Sequence, residues 1–299
     1  MLVLATFDQL TEDKKRQVYE FTSALPVILH FDGYEDMVRK YGGEVYAHGK
    51  QHFSLWHKGK VVGTTGVITR EIPDRGEAFI NAVYIEPKKP EAICRLLSRA
   101  FTHLMPYRVQ TVTLGISTGC EYTLPYLKEV GFLQAYEFLQ MTHRENIFPA
   151  AKKQIELHPL CEDNADSFRH IHNETFSTSP NGATLSEEQV QEMLNRSRWA
   201  GLCIHEGIPV GMYHMIREDS IGRIADIAVH PDFQGRGIGS LLVRRLVERV
   251  YEDGARKVQL EVASSNKAAV HLYKKCGFKQ EKVLSRWFTL LPEEVCSCS

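Results

Sequence analysis

Apolar residues recur every four positions at Leu242, Leu246 and Val250. That spacing puts them on one face of a helix, and Gly254 is a natural stop for it. On either side the pattern changes to alternation. "GRIADIAV" (222–229) and "KVQLEV" (257–262) read as strands. "GLCIHEG" and "PVGMYHMIRE" predict a hairpin with Glu206-Gly207 near its turn. "EDNADSFRHIHNETF" (162–176) and "SEEQVQEMLNRS" (186–197) predict helices. The second opens on a Ser186 cap with Gln189 three residues on. "NKAAVHLYKKCGF" predicts a short helix ended by Gly277, and "EKVLSRWFTLL" a last strand.

The first half repeats this order more faintly. "FSLWHKGKVVGTTGVITREI" predicts a hairpin and "EAFINAVYI" a strand. "PEAICRLLSRAFTHL" predicts a helix, "VQTVTLGIS" a strand, "LPYLKEVGF" a helix end and "LQAYEFLQMTHR" a final strand. Val62-Gly63 and Val210-Gly211 lie 148 residues apart, Pro87 and Pro231 144 apart, and Phe132 and Phe278 146 apart. Near-constant spacing of about half the chain points to two copies of one α/β unit. The expected domains are 1–147 and 148–299, with the junction in "RENIFPAAKKQ" (144–154).

Charge narrows the partners. Lys and Arg total 36, Asp and Glu 37, and the formal net charge is -1. This balance suggests neither a nucleic-acid nor a membrane partner. The start, "MLVLATFDQLTEDKKRQ", turns charged by Asp8, too early for a signal core. No uninterrupted apolar run is long enough to span a bilayer. The expected compartment is the cytoplasm. Seven cysteines form no zinc-type CxxC pair, which fits reduced thiols. The "CSC" tail at Cys296–Cys298 reads as a frayed terminus. His170 and His172 are two apart and cannot share a helical face, so no metal site is expected.

The sharpest local feature is "HPDFQGRGIGSLL", with glycines at 235, 237 and 239 ahead of a helix. A helix N-terminus leaves N–H groups unpaired and carries partial positive charge. Glycines expose those donors to an anion such as a pyrophosphate, and Arg236 adds charge. The string is not the dinucleotide fingerprint, because the third glycine comes too early. On these residues alone, a tight turn with nothing bound stands beside anion binding.

"IAVHPDFQGRGIGSLLVRRL" followed by "LEVASSNKAAVHLYKKCGF" resembles the GCN5-related N-acetyltransferases (GNAT). Their signature, Gln/Arg-x-x-Gly-x-Gly/Ala, matches Gln234 to Gly239. The second block is similar to the ribosomal-protein alanine acetyltransferases in particular. The tandem layout resembles mycothiol synthase, in which one half dominates catalysis. The resemblance implies an α/β (α+β) fold of two tandem GNAT-like domains. Each would have a mixed, mostly antiparallel central sheet flanked by helices.

It also implies acetyl-CoA as cosubstrate, with no metal. Gln234, Gly235, Arg236, Gly237, Ile238, Gly239 and Ser240 would then face the CoA pyrophosphate. The backbones of Ile227, Ala228 and Val229 would pair with the pantetheine arm, and the Val229 N–H would polarise the thioester carbonyl. Asn266 would contact CoA, or simply cap its helix. Tyr273 takes the place of the acid that protonates the leaving thiolate, or is a core tyrosine on the Ala269–Leu272–Tyr273–Cys276 stripe. Glu261 and Asp226 are the candidate bases, with a water chain as alternative.

The first half departs from this pattern. Pro87-Lys88-Lys89-Pro90-Glu91-Ala92 replaces the glycine loop, and two prolines remove N–H donors. Leu127 stands at the Tyr273 position, Cys120 at that of Asn266, and Tyr126 is one residue out of register. The half reads as a copy that has lost CoA. The expected function is acetyl transfer to a primary amine, first of a small molecule. The rivals are a protein N-terminus or lysine as acceptor, or a CoA-binding sensor without catalysis. Assembly as a homodimer is the oligomeric state to test.

Overall fold

The computed structural model describes residues 2–27, 31–144, 155–177, 179, 182, 184–196 and 199–291. The expected junction, apart from Arg144, and the Cys296–Cys298 tail lie outside them. The described chain opens with strand β1 (Leu2–Thr6), helices α1 (Glu12–Ala24) and α2 (Tyr34–Gly42), and the hairpin β2 (His52–His57) and β3 (Lys60–Ile68). A short turn of helix, α3 (Ile72–Arg75), leads to β4 (Glu77–Ile85), α4 (Ala92–Leu104), β5 (Thr111–Ser117), α5 (Leu124–Val130) and β6 (Leu133–His143).

Then come β7 (Glu156–Pro159), α6 (Ala165–Phe176), α7 (Glu187–Arg196), β8 (Ala200–His205), β9 (Ile208–Glu218) and β10 (Ile221–Val229). Helix α8 (Ile238–Glu252), β11 (Lys257–Ala263), α9 (Lys267–Lys275) and β12 (Lys279–Leu290) complete the order. The pattern of apolar residues anticipates every strand from β2 on except β7. It carries no assignment for β1, α1 or α2.

Contacts divide the chain into two compact units. Unit 1 is Met1–Glu137 with Val283–Ser299, and unit 2 is Phe138–Lys282. The chain therefore changes unit in the middle of β6 and again in the middle of β12. In unit 1 the strands run β1-β2-β3-β4-β5-β12, and in unit 2 β6-β11-β10-β9-β8-β7. Residues Ser285–Leu290 of β12 pair antiparallel with β5, and Phe138–His143 of β6 pair antiparallel with β11. Both sheets are mostly antiparallel, with one parallel pair each.

Those parallel pairs show the duplication directly. The β4–β5 ladder runs from Glu77↔Thr111 to Ile80↔Leu114, and the β10–β11 ladder from Ile221↔Lys257 to Ile224↔Leu260. Both stop after four pairs, and the strands then part into a fork. The preceding hairpins carry register shifts at Leu55/Trp56 and at Cys203/Ile204.

Helices cover both faces of each sheet. In unit 1, α4 buries Ile93, Leu96 and Leu97 among Leu55, Ile80 and Ile85. The other face packs Phe7, Met37, Tyr41, Tyr46 and Trp56. In unit 2, α6 lays Phe168 and Ile171 on Met212 and Ala228. Helix α8 buries Leu242, Val243, Leu246, Val247 and Val250, each contributing roughly 1.5–3 kcal/mol. Its closeness to β10 is set by Gly222, where a Cβ would stand 2.1 Å from Val250 Cγ1. The Ser186–Gln189 capping box of α7 forms as its sequence predicts, at 3.0 and 3.2 Å.

Candidate functional site

The glycine loop joins β10 to α8. Gly235 and Gly237 adopt φ of +73° and +84°, which L side chains rarely take. A Cβ at either position would meet nothing within 4 Å, so open space lies in front of both. Among the described residues, no backbone acceptor serves the N–H groups of Gly235, Arg236, Gly237, Ile238 and Gly239. The Ser240 N–H is bonded to the Gly237 carbonyl, which leaves its hydroxyl for a ligand. Gly239 sits differently: its Cβ would come within 3.3 Å of Leu272, so it also lets α8 approach α9. Arg236 bonds the Asp232 carbonyl at 2.8 Å and lies over Phe233, exposed beside the loop. Five consecutive donors at the start of a 15-residue helix, fronted by open space, fit a diphosphate.

The fork of unit 2 adds a second donor. His230 N donates to Val210 O on β9. Strand alternation then turns the N–H groups of Ile227 and Val229 the other way, into the fork. The Gln234 side chain caps the Val229 carbonyl at 2.9 Å. It thus ties the loop to the strand end and leaves the Val229 N–H uncapped.

Tyr273, on α9, is buried. Burial first, then Cys276 and Asp226, raises its pKa above that of an ordinary phenol. The hydroxyl is therefore neutral and able to donate throughout the physiological range. Among the described residues no hydrogen-bond partner takes it up. The effect of the Asp226 charge places the two groups within electrostatic reach of each other. Tyr273 belongs to the core by packing, and its hydroxyl has no hydrogen-bond partner among the described residues. Asn266 caps α9 by accepting from Ala269 N at 3.1 Å.

Register divides the polar groups of unit 2 by face. Arg223 stands opposite Ile216 and Gln259, and Gln259 opposite Thr142. Glu261 pairs with Gln140, and Asp226 with His214. All share the face whose apolar end, Met212 and Ala228, lies under α6. Glu261 is half-buried. Burial raises its carboxyl above the usual range, while Arg223 and Lys282 pull the other way. Asp226 accepts from His214 Nδ1 at 3.1 Å. Sequence reasoning missed His214, because a register shift between Ile224 and Asp226 brings the two together. His170 lies 5.8 Å, ring to ring, from His230, and His172 stacks on Phe176. Among the described residues no group of three His, Cys, Asp or Glu is placed to hold a metal ion.

Unit 1 has the same fork, filled by its own side chains. Ile85 occupies the place of Val229, and Glu86 N donates to Val62 O as His230 N does to Val210 O. Tyr122, from beyond β5, donates to the Ile85 carbonyl at 2.6 Å. The Ile85 N–H is engaged by the Cys120 thiol. In the Pro87–Ala92 loop, Lys89 N and Ala92 N already bond Glu86 O and Lys89 O.

The family model of the acetyltransferase (GNAT) family matches residues 160–278. An uncharacterized N-acetyltransferase of Methanocaldococcus jannaschii is 34% identical over 97 residues, 30% of this chain and 43% of that protein. The [ribosomal protein bS18]-alanine N-acetyltransferase of Salmonella typhimurium is 38% identical over 63 residues, 21% of this chain and 43% of that one. The chain thus spans less than half the length of these curated relatives. A tandem GNAT protein from the clavulanic acid biosynthesis pathway shares the fold across 97% of this chain and 98% of its own, with TM-score 0.68 and 14% identity. Residues 160–278 thus match the GNAT family model, and the fold of the chain is the one seen in a tandem GNAT protein.

Proposed function

We propose that unit 2 transfers an acetyl group from acetyl-CoA to the primary amine of a small molecule, while unit 1 binds no CoA. One observation carries this reading. Among the described residues the loop amides, the Val229 N–H and the Tyr273 hydroxyl of unit 2 have no partner, whereas the matching Ile85 groups in unit 1 are both engaged.

Acetyl-CoA, when bound, supplies the activated acetyl group. The Gly235–Gly239 amides, Arg236 and the Ser240 hydroxyl hold its diphosphate. Ile227, Ala228 and Val229 bind the pantetheine arm through their backbone, and the Val229 N–H stabilises charge on the thioester oxygen. Tyr273 gives its proton to the departing sulfur. A sensor needs no such donor, which favours an enzyme. The described cysteines are free thiols and no described helix is long and apolar enough to cross a membrane, in keeping with work in the cytoplasm.

A protein N-terminus is the second reading for the acceptor, favoured by the likeness to the ribosomal-protein alanine acetyltransferase. The test is thiol release from acetyl-CoA by the full chain, against a panel of small primary amines and one peptide beginning with alanine. Turnover with a small amine supports the first reading, and turnover with the peptide alone supports the second. No release above hydrolysis with either contradicts acetyl transfer.

A further inference from the structure

An acceptor amine is mostly protonated near neutral pH and must lose a proton before or as it attacks. On the polar face of unit 2, Glu218 is paired with Arg223 and Glu281 with Gln259, while Asp226, Glu261 and His214 stand nearest the fork as candidates for this. Their geometry separates them. Asp226 Oδ2 is engaged by His214 Nδ1 at 3.1 Å. A carboxylate only accepts hydrogen bonds, so Nδ1 carries the ring's hydrogen. The lone pair is thereby fixed on Nε2, the nitrogen that can take a proton. Glu261 lies on β11, and its register neighbours are Gln140 and, two positions along, Gln259.

The pair sits where catalysis would need it. The β10–β11 ladder ends at Ile224, and Asp226 is the second residue beyond it, at the mouth of the fork. The Tyr273 hydroxyl feels the Asp226 charge from the α9 side. Side-chain exposures of 18% for His214 and 33% for Asp226 leave the imidazole within reach of a solute. On the same face stand Arg223, paired with Glu218, and Glu261. Helix α6 packs on neighbouring apolar residues of the sheet, Met212 and Ala228 among them.

We propose that His214 is the catalytic residue that takes the acceptor's proton and that Asp226 is its positioning residue. This rests on the acetyl-transfer reading above. The amine nitrogen uses its lone pair to form the bond to the acetyl carbon, and the carbon–sulfur bond breaks with its pair on sulfur. The ammonium's extra proton goes to His214 Nε2 before attack, the sulfur takes the Tyr273 proton, and the second nitrogen proton, shed as the amide forms, passes through water to the Tyr273 oxygen. Exchange with water returns His214 to its starting form. Asp226 and Glu261, the bases suggested by sequence, are thereby moved to support.

The test uses the full chain, acetyl-CoA and whichever amine of the panel releases thiol. His214→Asn keeps a donor to Asp226 in the place of Nδ1 and removes the base. Turnover should fall about 10²–10⁴-fold, with acetyl-CoA affinity and melting temperature close to the parent's. The loss should shrink as pH approaches the amine's own pKa, about 10 for an alkylamine, because the acceptor then arrives without its extra proton. Asp226→Asn, the second variant, should also lower turnover, since the imidazole can then take the wrong tautomer. Parental turnover in His214→Asn would overturn the proposal, and with Asp226→Asn impaired it would make Asp226 the base. A loss constant across pH would also overturn it, since it marks a structural role. A parent without thiol release removes the acetyl-transfer reading and this proposal together, an outcome distinct from an active parent with an active His214→Asn.

Discussion

Tyr122 donates its hydroxyl hydrogen to the Ile85 carbonyl at 2.6 Å, across the fork of unit 1. The matching carbonyl in unit 2, that of Val229, is capped by Gln234 from its own loop at 2.9 Å. The first bond bridges the two strands of a fork, and the second leaves the fork free. Calorimetric titration of the full chain with acetyl-CoA should therefore give one site per chain. Tyr122→Phe should leave that stoichiometry unchanged, because Cys120 still engages the Ile85 N–H and Pro87 and Pro90 offer no donors. Two equivalent sites in the parent would show that unit 1 has kept its cofactor.

Gly237→Asp separates binding from folding. A Cβ there meets no described residue within 4 Å, so the folding cost is the strain of φ +84°, about 1–2 kcal/mol. The added carboxylate would face the diphosphate and should remove measurable acetyl-CoA binding. Gly222→Ala should do the reverse. Its Cβ would lie 2.1 Å from Val250 Cγ1, so melting temperature should drop clearly while the loop keeps its donors. Unchanged acetyl-CoA affinity in a folded Gly237→Asp chain would remove the diphosphate from this loop.

His52 gives unit 1 a pH dependence of its own. Its ring is fully buried, stacks on Tyr41 at 3.5 Å, and leaves both nitrogens without a partner. Burial holds its pKa down to about 3, against 6.5 for a free histidine. The folded form stays neutral while the unfolded chain takes up a proton. Stability should be lost as pH falls from about 6.5 toward about 3, by about 1.4 kcal/mol per unit inside that window. His52→Leu should flatten this acid slope in melting curves taken across that range. A slope equal to the parent's would assign the acid sensitivity to other groups.

The repeat and its chemistry were legible to different depths. Apolar spacing exposed α8, and the glycines exposed the loop, because both are local patterns. The strands of the duplicated ladders followed from alternation. The destinations of β6 and β12 did not, because "LQAYEFLQMTHR" alternates equally well beside either neighbour and no residue marks the change of unit. Tyr126 drew attention as a near match to Tyr273, yet Tyr122 is the ring that bridges the fork of unit 1. Its role depends on the turn after β5, which spacing does not reveal. His214 was hidden by the register shift after Ile224, since a regular strand would have paired it with Ala225.

The most direct measurement is the turnover of Tyr273→Phe beside its acetyl-CoA affinity. The change keeps the ring packed against Phe278 and removes only the hydroxyl. The proposed site draws its affinity from the loop amides and the strand backbone, so on that proposal affinity should move by less than roughly tenfold, about 1.4 kcal/mol. Thiol release with the accepted amine should fall about 10²–10⁴-fold, and less at low pH, where solvent supplies the proton. Parental turnover in a folded Tyr273→Phe chain would contradict the assignment of the leaving-group proton and return Tyr273 to the core.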